Sequence, residues 1–243
     1  MLTNYIADMF NSSNSDNTNY ARALLQAINA IKPGIFNSGY TLTHHLDFNR
    51  NWGLGSSSTL ISNMAQWSGI DPFDLHFAVS NGSGYDIACA TARKPLLYKV
   101  VGKHPQFEEV NFKPPFFDKL YFAYLGKKVA TEKNVASFLN KKKLSDNEID
   151  KISALTREIC RCNKFEDMGV LLFEHEQFLS TLLDIEPVKK NLFSDFPGCV
   201  KSLGAWGGDF VMLVYNGERE NLKKYLNSKN ISTFFRFDEI ILA

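Results

Sequence analysis

The sequence predicts an α+β protein with two domains. Amphipathic helical patterns and strands rich in β-branched and aromatic residues occur in both halves of the chain. The run 111–118, NFKPPFFD, carries adjacent prolines that fit neither a helix interior nor a central strand, so we place the domain boundary after residue 114. With 243 residues, 44% of them hydrophobic, the chain can bury a proper core.

Patterns in the first half predict alternating helices and strands. Apolar spacing of three and four indicates the helices, and β-branched and aromatic residues indicate the strands. The predicted elements are a helix over 20–31 capped by the polar cluster 11–19, a strand over 40–48, a turn rich in glycine and serine over 51–58, a helix from Ser57 to about Gly69, a loop and helix over 82–92, and a strand over 95–102.

The second half repeats this alternation. Ser145 followed three residues later by Glu148 has the spacing of a capping box and predicts a helix start. The predicted elements are a strand over 120–126, helices over 143–161 and 164–183, a strand over 209–216, a helix over 219–230 and a strand over 231–242.

Charge and composition exclude several classes of protein. Lys and Arg total 27 against 26 Asp and Glu, so the basic surface of a nucleic-acid-binding protein is missing. No apolar run approaches the ~18 residues of a membrane span, and the first ten residues lack the basic start of a signal peptide. Four cysteines at uneven spacing indicate a reducing compartment. We therefore expect a cytoplasmic protein whose partner is a small molecule, with no nucleic acid and no membrane.

The loop Gly53–Ser58, GLGSSS, stands between a predicted strand and a predicted helix. Glycines allow close backbone approach, and the amide groups at a helix start attract anions, so this is a phosphate-binding arrangement on physical grounds. No lysine follows the glycines, which excludes a Walker A loop. A serine-rich helix cap after a glycine turn is the alternative.

A second loop places one carboxylate, Asp86, behind Gly82, Ser83 and Gly84. A carboxylate at a junction of loop and helix can take a proton from a substrate hydroxyl. It can equally cap the helix. A third loop, 204–208, contains three glycines and an alanine before an apolar strand, which suits either a phosphate-binding loop or a plain turn leading into the strand.

Taken together, the three loops resemble the signatures of the GHMP kinases, the superfamily named for galactokinase, homoserine kinase, mevalonate kinase and phosphomevalonate kinase. GLGSSS is similar to the P-x-x-x-G-L-G-S-S-A signature. GSGYDIA at 82–88 is similar to the S-G-x-D element of mevalonate kinases and more so to the G-S-G-F-D-V-A run of phosphomevalonate kinases. GAWGGD at 204–209 resembles the G-A-G-G-G-D of phosphomevalonate kinases, and the combination looks closest to bacterial GHMP kinases with the G-Y-D-I-A string.

This resemblance implies a fold and roles for the loops. The fold would be the two-domain GHMP fold, with a ribosomal-protein-like α/β domain over 1–114 and a ferredoxin-like domain over 115–243. The cofactors would be ATP and Mg²⁺. By the match, the ATP-binding residues are Gly53, Leu54, Gly55, Ser56, Ser57 and Ser58, with Ser57 also on magnesium; the catalytic base is Asp86; and the residues for substrate or phosphate are Ser83, Gly84, Gly204, Ala205, Gly207 and Gly208.

The chain also departs from the family pattern. The signature proline before Gly53 is absent, Trp206 replaces a glycine, and Leu75 stands where mevalonate kinases carry a magnesium-binding glutamate. The family's first signature, G-K-x-x-L-x-G-E-Y or P-x-R-x-N-L-x-G-E, is not present. From this we expect that about the first quarter of such a kinase is missing, so that the N-terminal domain is truncated, and that the isolated chain aggregates and turns over weakly or not at all.

The function predicted on this basis is phosphoryl transfer from ATP to mevalonate or, slightly favoured by the motifs, phosphomevalonate. The alternative is a GHMP-fold protein that binds a nucleotide or metabolite without catalysis, or an inactive fragment. A sugar kinase is a third option that no residue supports directly. Whether the chain forms a homodimer is left open.

Overall fold

The computed structural model describes residues 15–102, 104–126, 144–204 and 209–241, with side chains from residue 18 on. Contacts divide the chain into two compact units. The first holds the described residues up to Asp47, then Leu54–Ala92 and Leu96–Glu108; the second holds Phe48–Gly53, Arg93–Pro95 and the described residues from Glu109 on. The domain boundary after residue 114 stays a prediction.

The first unit consists of helices and one hairpin. Its elements are α1 (Ser15–Ile31), α2 (Ser56–Ser68), α3 (Pro72–Val79), α4 (Tyr85–Thr91), β1 (Leu96–Val101) and β2 (His104–Glu109), with β1 and β2 paired. One cluster of apolar side chains joins the helices; its fully buried members are Leu24, Ile28, Ile61, Leu75 and Ile87. The helices predicted from Ser57 to Gly69 and after Gly84 are confirmed, and so is the helix over 20–31, although it begins at Ser15, inside the polar cluster predicted to cap it.

The strand predicted over 40–48 is wrong, because this segment is irregular. Strand propensity depends on a pairing partner and a surface to pack on, and the segment is held by side chains instead. The Tyr40 ring meets the Trp67 ring edge-on with 5.1 Å between centroids, and Leu42 packs against the helical core. Helix α3 was not predicted, although Asp71 caps it and Pro72 is its first residue, which are standard helix-start signals.

The second unit is built on an antiparallel sheet of four strands. Two short turns of 3₁₀ helix lie at Arg50–Trp52 and Phe117–Lys119. The other elements are β3 (Leu120–Tyr124), α5 (Asp146–Arg161), α6 (Phe165–Leu183), α7 (Val188–Leu192), β4 (Cys199–Ser202), β5 (Phe210–Val214), α8 (Arg219–Ser228), β6 (Phe234–Arg236) and α9 (Phe237–Ile240). The strand order is β4-β5-β3-β6.

Apolar side chains cover both faces of this sheet. On one face Ala123 and Leu213 pack against Leu222 and Leu226 of α8. On the other, strand residues such as Leu120 pack with side chains of α6 and α9. Side chains alternate between the faces of a strand, so strands buried on both sides read as continuous apolar runs, and this is why β3 and β5 were predicted correctly.

Helices α5 and α6 are confirmed, and the capping box is present: Ser145 and Glu148 exchange hydrogen bonds between side chain and backbone. The strand predicted over 231–242 is only partly right, because it ends at Arg236, where the chain turns into α9. Strand β4 was not predicted. No helix in the described ranges is long and apolar enough to cross a membrane.

Candidate active site

The start of α2 is open to an anion. Gly55 occupies the cap position with φ 77° and has no side chain to bond the first-turn amide groups, which have no partners inside the helix. The hydroxyl of Thr59 donates back to the Gly55 carbonyl at 3.0 Å and so does not cover them. Ser57 is exposed, whereas Ser58 is buried. The geometry therefore offers backbone amides and the Ser57 hydroxyl to a phosphate and its metal ion.

The beginning of the same loop is anchored in the second unit. The Tyr124 hydroxyl donates to the Asn51 carbonyl at 2.8 Å, and the Trp52 ring lies edge-on to Phe235 with 5.2 Å between centroids. Gly53 adopts φ 71°, and a Cβ added there would overlap the carboxylate of Asp209. Within the second unit, the structure thus brings the first residue of GLGSSS against the last residue of GAWGGD.

The loop in front of Asp86 is held by a series of hydrogen bonds. The Gly82 amide donates to the Ser80 hydroxyl at 3.0 Å, and the Tyr98 hydroxyl donates to the Ser83 carbonyl. Gly84 has φ 80°, and a side chain there would come within 3.2 Å of the Phe73 ring, so the position requires glycine. The structure shows Ser83 and Gly84 shaping the loop, and the role in binding substrate that the sequence predicts for them stays a prediction.

Asp86 does not cap its helix, since Gly84 is the cap residue and Asp86 is the second residue of α4. Its side chain lies on the exposed side of the helix. The surrounding protein nevertheless removes part of its hydration and raises the pKa of the carboxyl above its usual range, while the charge of His76 opposes that rise. A carboxyl that is accessible and more basic than usual suits a general base.

Sequence reasoning missed His76, which lies under the loop. The residue is 8% exposed, and its Nε2 is 3.4 Å from the Gly82 carbonyl oxygen. Its neighbour Leu75, at the position where mevalonate kinases carry an acid, is fully buried in the core. No sequence-spacing rule connects residue 76 with the loop that precedes Asp86, so their contact can be recognised only in the folded chain.

The third loop is described only at its ends. Leu203 donates its amide to the Phe210 carbonyl at 3.1 Å, which closes the β4–β5 hairpin, and Gly204 has φ 65°. Ala205, Gly207 and Gly208, together with Trp206, lie outside the described residues. Their predicted contact with phosphate stays a prediction.

Below this hairpin lies a buried charged cluster. Glu176 of α6 accepts hydrogen bonds from the Ser202 hydroxyl at 2.6 Å and the Ser202 amide at 3.2 Å, and it pairs with Lys201 at 2.9 Å. Lys201 also donates to the Ser202 carbonyl at 2.6 Å. The Glu176 carboxylate therefore holds Lys201 and Ser202, the last two residues of β4, which precede Leu203 and Gly204 in the chain.

The described ranges contain no group of three or more His, Cys, Asp or Glu side chains that could hold a metal ion. A magnesium ion brought with a nucleotide needs few protein ligands, because Mg²⁺ keeps several waters and binds substrate phosphates. The exposed Ser57 hydroxyl beside the open helix start fits that mode. Ser57 is the one residue predicted for the metal.

Comparisons with known proteins give a likeness in structure. No protein-family profile matches the chain, and no curated protein matches it in sequence. The phosphomevalonate kinase of Streptococcus pneumoniae, solved with phosphomevalonate and AMPPNP, aligns with a TM-score of 0.66 at 16% identity, over 94% of this chain and 85% of that one. A Lin0012 protein from Listeria innocua aligns with a TM-score of 0.61 at 15% identity, over 92% and 79%.

The L. major mevalonate kinase, solved with R-mevalonate, aligns with a TM-score of 0.54 at 15% identity. That alignment covers 76% of this chain and 64% of the kinase, less than two thirds of its length. Mevalonate kinase and phosphomevalonate kinase are two of the enzymes for which the GHMP kinases are named. The described part of this chain therefore shares a mixed α/β fold with these two kinases.

Proposed function

We propose that the chain is an ATP-dependent small-molecule kinase of the GHMP superfamily, which transfers the γ-phosphoryl group to mevalonate or phosphomevalonate. One observation carries the proposal: Asp86, an exposed carboxyl with a raised pKa, is presented by a tightly bonded glycine loop within a kinase fold. The name of the Lin0012 protein gives no substrate, whereas the other two structural neighbours are a mevalonate kinase and a phosphomevalonate kinase.

Each loop has a part in this proposal. The first-turn amides of α2 and the backbone of Gly53 and Gly55 bind the nucleotide phosphates, and Ser57 contributes a hydroxyl to Mg²⁺. When bound, ATP would supply the phosphoryl group, and Mg²⁺ would neutralise part of the charge on the phosphates. Asp86 accepts the proton of the acceptor hydroxyl, and the rigid loop around Gly84 sets its position.

A non-catalytic protein that binds a nucleotide or metabolite is the second candidate. The burial of Leu75 favours it, because the acid that mevalonate kinases use for magnesium is replaced by a core side chain. The two candidates agree on nucleotide binding and differ on turnover.

A panel assay separates them. ATP consumption and the mass of the phosphorylated product are followed with mevalonate, phosphomevalonate and a set of sugars, and nucleotide affinity is measured in parallel by calorimetry. We expect one acceptor, mevalonate or its phosphate, to gain one phosphoryl group, at a low rate because the family's first signature is missing from the chain. Nucleotide binding without any product would favour the non-catalytic alternative, and neither binding nor product would overturn both.

A further inference from the structure

We propose that His76 is a positioning residue for the acidic loop: its imidazole donates to the Gly82 carbonyl and so holds residues 82–88 in place. This inference rests on the proposed kinase function for its catalytic consequence. Its structural part, the fixing of residues 82–88, can be measured whether or not the chain turns over a substrate.

The burial of His76 calls for an explanation. The side chain lies in the helical core with 8% exposure, and its Nδ1 atom is buried without a partner among the described residues. An unpaired buried polar atom loses its hydrogen bonds to water without compensation, so its burial destabilises the fold. A leucine would fill the same space at no such cost, so packing alone does not account for a histidine here.

The other ring nitrogen, Nε2, lies within hydrogen-bonding distance of the loop backbone. Nε2–H can donate to the Gly82 carbonyl 3.4 Å away, while the Ser80 hydroxyl accepts from the Gly82 amide at 3.0 Å. Residue 82 is therefore held at both its N–H and its C=O by the end of α3. A Cβ at Gly82 would lie 3.2 Å from the Ser80 hydroxyl and 3.5 Å from His76 Nε2, which shows how closely the backbone sits on this support.

Further hydrogen bonds connect this part of the loop to the start of α4, the helix that carries Asp86. The hydroxyl of Tyr98 holds the next carbonyl, that of Ser83, and Gly84 then begins α4, with Ile87 and Ala88 donating back to its carbonyl at 3.1 Å. A loop that moves by about 1 Å can cost a catalyst on the order of 100-fold in rate, so loss of His76 should be felt at Asp86.

The test uses His76→Leu, His76→Gln and a matched control. Gln keeps an N–H donor for the Gly82 carbonyl and removes the ring; Leu removes both. His175→Leu is the control, because His175 also buries an unpartnered Nδ1 but lies on α6 in the other unit. The readouts are kcat, the KM for ATP, and amide hydrogen exchange of 82–88 compared with α2.

We expect His76→Leu to lower kcat by about 10-fold to 100-fold with the KM for ATP within about twofold, and to speed exchange of 82–88 by at least about 10-fold without affecting α2. His76→Gln should recover most of both effects, and His175→Leu should show neither. The proposal is overturned if exchange in 82–88 is unchanged in His76→Leu, or if Gln behaves as Leu does. If the unaltered chain has no turnover, the kinase proposal fails and hydrogen exchange still decides this one.

Discussion

Asp86 combines two properties that rarely meet in one residue. Its side chain is exposed, yet neighbouring protein atoms desolvate the carboxyl and raise its pKa. The same surroundings raise the pKa of Tyr85 and Tyr98, again chiefly through burial. Perturbed titration concentrated around one accessible carboxyl is typical of functional sites.

The raised pKa makes a prediction about stability. The folded state holds the Asp86 proton more tightly than the unfolded chain does, so the ionised carboxyl costs stability at neutral pH, and that cost disappears as pH falls through the raised pKa toward the ordinary aspartate range. Asp86→Asn should therefore be at least as stable as the original chain at pH ~7.5, with the difference shrinking toward pH ~4, in urea unfolding followed across pH.

Asp195→Asn is the control of opposite sign. Hydrogen bonds from Lys229 and Tyr225 lower the pKa of Asp195, so its charge stabilises the fold above the ordinary aspartate pKa, and that contribution is lost on acidification. This variant should be less stable than the original chain at pH ~7.5. A destabilised Asp86→Asn at that pH would contradict the account of Asp86.

Single residues also show where sequence reasoning stops. Asp86 and the glycines of its loop carry a motif and could be named from the sequence. Tyr98 and Asp209 act through contacts between segments distant in sequence, and His76 acts on a backbone carbonyl six residues further along the chain; none of these contacts follows a spacing that a motif records. The signal existed only in the folded chain.

At the scale of elements, the buried pair between α6 and β4 decides how firmly the edge of the sheet is held. Breaking a buried ion pair from one side leaves an uncompensated charge, which typically costs about 3–5 kcal/mol. Replacing both partners by apolar side chains is often nearly neutral. Glu176 and Lys201, whose side chains are each 8% exposed, meet that description.

We therefore expect Glu176→Leu to lower the free energy of unfolding by about 3–5 kcal/mol, and the double variant Glu176→Leu/Lys201→Met to recover at least half of that loss. Ser202 loses its partner in both, at about 1 kcal/mol for each hydrogen bond. The exposed pair Lys190–Glu186 is the control, and its removal should change stability by less than about 1 kcal/mol. A double variant no more stable than Glu176→Leu would refute the expectation.

Elements differ in how far the sequence determined them. Helix α5 could be predicted from its capping box, and β3 and β5 could be predicted from their apolar runs, because these signals are local in sequence. The segment 40–48 has the composition of a strand but packs on Trp67 instead of joining a sheet. The strand β6 ends early because the Glu239 carboxylate accepts a hydrogen bond from the Arg236 amide at the start of α9, and this helix competes with strand propensity for the same residues.

For the whole molecule, the order of the three loops predicted the fold that the structural neighbours share, although identity to them is only 15–16%. Loops that bind phosphate need glycines at fixed places, so their pattern can persist when the packing residues around them change. The division of GLGSSS, with Gly53 in one unit and Leu54 onward in the other, could not be predicted. Which unit a residue joins depends on tertiary contacts alone.

We propose that Asp86 takes the acceptor proton in phosphoryl transfer, and the proposed function depends on this step. The most direct measurement is the single-turnover rate of Asp86→Asn against the original chain, with the acceptor found in the panel assay and saturating Mg-ATP. We expect a rate lowered by about 100-fold or more while the nucleotide Kd stays within about twofold, since the change leaves the start of α2 untouched. A rate within about threefold of the original would contradict it and remove Asp86 from the chemistry.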